Sequence, residues 1–111
     1  MERESDVEHY FVEQCKRFGY LTYKFVSPGQ AGVPARISID DVHQVSFIEF
    51  KATIDDYPRP LQFKQIEKLA NFGQIVYVLR SKSEVDWYFF GDGDIPTDWD
   101  VLRDERKNNK Y

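Results

Sequence analysis

Two short runs, Ala35-Arg36-Ile37-Ser38-Ile39 and Val45-Ser46-Phe47-Ile48-Glu49-Phe50-Lys51, are rich in β-branched and aromatic residues and are separated by the polar stretch Asp40-Asp41-Val42-His43-Gln44. No other stretch limits the fold as strongly. Such a pattern predicts a β-hairpin over about 35–51. With Asp40 to Gln44 as the connection, Ile39 falls opposite Val45, Ile37 opposite Phe47 and Ala35 opposite Glu49, and those six share one face. Side chains alternate along a strand, so Lys51 points the same way as Glu49. An acid and a base therefore emerge together beyond an apolar stripe. Opposed residues have Cβ atoms about 4.5–5.5 Å apart, within which two carboxylates at positions 35 and 49 could share a divalent cation. Position 35 is alanine, so the second carboxylate is missing.

The ordered set Ser27-Pro28-Gly29, Gly32-Val33-Pro34-Ala35-Arg36-Ile37, Glu49-Phe50-Lys51 and Pro60-Leu61-Gln62 resembles the VRR-nuclease domain of the PD-(D/E)xK superfamily, over about residues 4–82. Glu-x-Lys alone is a weak signal, and the order of the whole set is what makes it specific. The resemblance implies an α/β nuclease-like fold with a central mixed sheet. It also implies metal-dependent hydrolysis of DNA phosphodiester bonds with Mg²⁺ or Mn²⁺. By this resemblance Glu49 and the Phe50 carbonyl are metal ligands, Lys51 positions water or neutralises phosphate, and Gln62 orients the water. Glu8, on the first helix, would bind metal directly or through water. The family's aspartate falls at Ala35, where a methyl group cannot coordinate a cation, so the centre reads as inactivated. Alanine is the usual choice for deleting one side chain, and an engineered change would account for it.

Short standalone members of the family resemble Holliday-junction resolvases, which implies branched DNA as substrate and a homodimer. Lys24, Arg36, Arg59 and Lys64 are the candidate DNA contacts. The loop that is basic in the family carries Gln30 and Ala31 here, and Arg59 stands where a capping serine is usual. Tyr57, Trp87, Tyr88 and Trp99 are candidate dimer contacts, although such aromatics more often serve a core.

Around the hairpin, Val7, Tyr10, Phe11, Gln14, Cys15 and Phe18 recur at helical spacing, predicting an amphipathic helix over 6–18 that Gly19 closes. Ser5 is its natural N-cap and Ser5-x-x-Glu8 reads as a capping box, which leaves Glu8 two roles. Tyr20 to Val26 reads as a half-buried strand. Pro60 suits the first turn of a second helix over 60–72, with Phe63, Ile66, Leu69 and Ala70 on its buried side. Ile75 to Leu79 is a continuous apolar run, expected to be a strand buried on both faces. Val85 to Phe90 reads as a final strand, followed by an acidic tail containing Trp99. Asp55-Asp56 reads as turn chemistry rather than a metal site.

One domain spanning 1–111 is expected, with apolar content of 41% sufficient for a core. The lone Cys15 reads as a small buried hydrophobe. No transmembrane run or signal peptide is evident, so a soluble cytoplasmic protein is expected. The net charge of −4 argues against a basic nucleic-acid binder, yet residues 15–82 carry ten basic and six acidic side chains between acidic ends. That distribution permits DNA binding. The competing readings are a DNA-binding or scaffold protein that does not cut, and an unrelated α/β interaction domain with a surface Glu49–Lys51 pair.

Overall fold

The computed structural model describes residues 2–53 and 56–91. Helix α1 (Glu4–Phe18) precedes β1 (Leu21–Lys24), β2 (Arg36–Ile39) and β3 (Val45–Phe50). Then come α2 (Pro60–Asn71), β4 (Ile75–Leu79) and α3 (Lys82–Phe90). The four strands form one mixed sheet in the order β1-β2-β3-β4. The first two pairings are antiparallel, and β3 and β4 are parallel, connected through α2. This is the expected α/β architecture.

The hairpin register is the expected one, with Ile37 opposite Phe47 and Ile39 opposite Val45. Asp40 fixes the connection, since its Oδ1 accepts the N–H groups of Val42 at 3.0 Å and Gln44 at 2.8 Å. An aspartate that satisfies turn amides leaves the strands no freedom to slip, and one slipped residue would turn every side chain to the other face.

The two faces of the sheet are covered differently. Ile48, Phe50 and Leu79 form the deepest core with Val7, Phe11 and Cys15 of α1 and Val85 of α3. The ring of Phe11 meets Phe50 at 5.4 Å and Tyr88 at 5.5 Å, within the range of favourable aromatic pairs. Ser38 and Ser46 are buried among these apolar groups and keep partners: Ser38 Oγ donates to Thr22 Oγ1 at 3.0 Å, and Ser46 Oγ lies 3.2 Å from the Tyr88 hydroxyl. On the opposite face α2 sets Phe63 and Ile66 against Val78 and Val76.

Several expectations need correction. Helix α1 starts at Glu4 with Arg3 as its N-cap residue, and Asp6 accepts the Arg3 N–H at 2.9 Å. Ser5 lies inside the helix and Glu8 caps nothing. The strand expected over 20–26 is confined to Leu21–Lys24, although Phe25 N–H still donates to the Ala35 carbonyl. At the sheet edge, β4 is buried only toward its C-terminal end, and Ile75 is exposed.

Val85 to Phe90 is helix and not strand. Ser81 caps α3 by accepting the Glu84 N–H at 3.0 Å, and Gly91 ends the helix in the left-handed region. Ser81-x-x-Glu84 is a helix-start pattern; here the glutamate carboxylate accepts the Arg80 N–H at 2.7 Å instead of closing the box. This cap and the packing of Val85, Tyr88 and Phe89 against α1 override the strand preference of the aromatics. The core thus runs past residue 82, Tyr88 belongs to it, and burial pushes its hydroxyl pKa up to about 12. Burial likewise pushes the Cys15 thiol up to about 12. Asp55, Trp99 and the acidic tail lie outside the described residues.

Candidate active site

The C-terminal end of β3 carries Glu49 and Lys51 into the protein, where they are only 4% and 3% exposed. The Ala35 N–H, just ahead of β2, donates to Glu49 Oε1 at 3.1 Å. From the first turn of α2, Gln62 Nε2 donates to Glu49 Oε2 at 2.6 Å, while Gln62 Oε1 accepts the Arg59 N–H at 2.7 Å. Lys51 Nζ stands 3.9 Å from the same Oε2, an ion pair at the limit of contact rather than a hydrogen bond. Ala35, Glu49, Lys51 and Gln62 therefore meet at one carboxylate, held by β2, β3 and α2.

Such burial favours the neutral acid. The Glu49 pKa is pushed up to about 7, chiefly by loss of solvent and further by the charge of Glu4, while Lys51 and the N–H groups of Ala35 and Phe50 pull the other way. Glu4 was not among the expected site residues. It shares a helix face with Glu8, one turn away, so only the three-dimensional placement of α1 distinguishes the two.

Glu8 itself is engaged elsewhere. Its Oε2 accepts from Arg36 Nε at 2.8 Å and lies 3.2 Å from Lys24 Nζ. This cluster, next to a cavity of about 250 Å³ also lined by Ser5, His9 and Val12, ties α1 to β1 and β2. Arg36 is largely buried with its charge matched, whereas Lys24, Arg59 and Lys64 are exposed. The Asp56 N–H donates to the Thr53 carbonyl, a turn contact.

Gly32 was expected only as part of a motif. It has a φ of +86°, and a Cβ there would lie 2.5 Å from the Leu61 carbonyl oxygen. The loop before β2 is thus seated directly on the backbone of α2. Beside this contact lies a cavity of about 430 Å³ lined by Ala31, Gly32, Arg59, Pro60, Leu61 and Gln62.

As they stand, these residues do not fit a divalent cation. Mg²⁺ and Ca²⁺ sites draw on several oxygen ligands, whereas one carboxylate with an N–H donor turned on each oxygen is what β3 offers. Among the described residues no three Asp, Glu, His or Cys side chains come together to hold a metal. The arrangement is a buried acid whose neutral form is favoured, beside the buried Lys51 side chain.

No family model matches the chain. It is 36% identical over 80 residues to "Putative nuclease p44" of Acyrthosiphon pisum secondary endosymbiont phage 1, covering 72% of this chain and 85% of that protein. A solved structure described as a VRR_NUC domain is 27% identical with a TM-score of 0.74, over 80% of this chain and 96% of its own. A second, described as a VRR_NUC domain protein, shares the fold at a TM-score of 0.64 and 20% identity, over 78% of this chain and 84% of that one. An unrelated interaction domain with a surface ion pair is thereby ruled out, as the buried Glu49 and Lys51 already suggested. The sequence relative is described as a nuclease and the fold is that of a VRR_NUC domain, and the chain belongs to the VRR-NUC family.

Proposed function

We propose that this chain is a DNA endonuclease domain of the structure-selective kind, suited to branched DNA and dependent on Mg²⁺ or Mn²⁺, in which Ala35 has removed the activity. The observation that carries the reading is the contact at position 35, which offers Glu49 a main-chain N–H where a second carboxylate would complete a cation site. Divalent ions supply phosphodiester hydrolysis with an activated water and charge neutralisation. Without that carboxylate no turnover is expected. Lys51 gives the site a buried positive charge, and Lys24, Arg59 and Lys64 are exposed for backbone phosphates, with Arg36 committed to Glu8.

A two-fold dimer is part of the same reading. Leu21 and Tyr23 are exposed on a sheet face they share with the half-buried Ile37, Ile39, Val45 and Phe47, beyond the apolar contacts of α2. Apolar surface of this kind on a small domain suits a partner of the same shape.

The test is Ala35→Asp assayed on synthetic junctions, flaps and duplexes with Mn²⁺ or Mg²⁺. The parent chain should leave all three intact and Ala35→Asp should cut the branched substrates. Failure of Ala35→Asp on every substrate with both ions would refute the assignment. A second reading, a DNA-binding or scaffold protein that does not cut, is favoured by the engagement of both Glu49 oxygens. It predicts DNA affinity in the parent that is indifferent to divalent ions, and no hydrolysis after Ala35→Asp.

A further inference from the structure

The carboxylate of Glu49 is gripped by two donors that come from separate segments, the main chain before β2 and the side chain of Gln62 on α2. Their separation is set where those two segments touch. At that point Gly32 lies against the Leu61 carbonyl and the Gln62 amide, with no room for a methyl group, since a Cβ would stand 2.5 and 2.9 Å from those two atoms. Both obstacles are backbone, and the obstructing helix turn begins at Pro60, so neither can swing aside as a side chain would.

We propose that Gly32 is a positioning residue, which holds the N–H of residue 35 and the amide of Gln62 at the spacing that lets them bind opposite oxygens of Glu49. Any larger residue pushes the loop and the helix start apart and opens the grip. On the other side of β2 the Arg36–Glu8 pair restrains the strand against α1, so the displacement falls on the α2 side. The inference depends on the site being at Glu49 and not on whether the chain cuts DNA.

Gly29 supplies the control, as it too has a positive φ, +81°, yet nothing lies within 4 Å of a Cβ built there. Gly29→Ala and Gly32→Ala carry similar backbone strain, and only the second adds the collision. In ¹⁵N-labelled protein the side-chain NH₂ of Gln62, bonded to a buried carboxylate, should give displaced resonances that exchange slowly with water. Gly32→Ala should return them toward ordinary glutamine positions and speed exchange by roughly tenfold or more, while Gly29→Ala leaves them unchanged. Unaltered Gln62 signals in Gly32→Ala, or equal changes in both variants, would overturn the proposal.

If Gly32→Ala does not fold, native-state hydrogen exchange on the parent chain decides. The amides of Gly32, Ala35 and Gln62 should open together as one unit. Independent opening of the loop and the first turn of α2 would overturn the proposal as well.

Discussion

The two faces of the sheet solve opposite problems with the same four strands. Toward α1 and α3, Phe11, Phe50, Tyr88 and Phe89 pack ring against ring around Val7, Ile48 and Leu79, and the buried serines are satisfied. Toward α2, a smaller apolar cluster of Phe63, Ile66 and Val78 accompanies a carboxyl group and an ammonium that are withheld from water. The first face is where folding free energy is gained. The second withholds its acid from water and so disfavours the charged form, which is the mark of a site shaped for something other than stability. The contrast teaches where substitutions should cost stability and where they should cost chemistry.

The largest effect is expected on the first face. Phe11→Ala removes a fully buried ring and should destabilise the protein by about 3–5 kcal/mol in chemical denaturation. Because the cavity lies across the sheet from Glu49, the carboxyl pKa followed by NMR should stay near its parent value. A shift comparable to the loss of stability would show that the two faces are not separable.

Glu49→Gln tests the second face through pH. The folded protein holds a proton on Glu49 that the unfolded chain releases, because the pKa is raised from 4.5 to about 7. The stability contributed by this group is present below pH 4.5 and is lost as pH rises through about 7. The difference in unfolding free energy between parent and Glu49→Gln should therefore change by roughly 3 kcal/mol across that window, to the parent's disadvantage at high pH. Parallel pH profiles for the two proteins would contradict the buried-acid account.

Ala35→Asp should sharpen the contrast by making the second face depend on metal. Without divalent ions a second buried acid next to Glu49 should lower the melting temperature. With Mn²⁺ at about a hundred times its dissociation constant the variant should regain roughly 3 kcal/mol. The parent should respond little, and an equal response would mean that cations bind elsewhere.

Smaller effects are expected at the seam between the faces. Glu8→Gln breaks a largely buried pair with Arg36 and should cost roughly 1–2 kcal/mol. Added salt should leave most of that difference in place, as buried pairs are screened less than exposed ones. Smallest of all, Tyr23→Glu on the exposed stripe should change monomer stability by about 0.5 kcal/mol or less while shifting the protein toward monomer in sedimentation. A parent chain that is already monomeric at high concentration would rule out the dimer.

Local sequence was enough to determine the hairpin, its register and the placement of Glu49 and Lys51 on one side of it. Alternation with a period of two and a turn-forming aspartate act between near neighbours, so they can be read from the order of residues. It also contains the cap Ser81, which with packing against α1 outweighs the strand preference of the aromatic run after it and makes α3 a helix. What it could not determine is which glutamate of α1 pairs with Arg36 and which one's charge helps raise the Glu49 pKa, since both occupy one helix face and differ only in where the helix docks. The seating of Gly32 on Leu61, and the assignment of one donor to each Glu49 oxygen, likewise came from packing. Those contacts join segments far apart in the chain, and their geometry exists only once the sheet and helices have closed on one another.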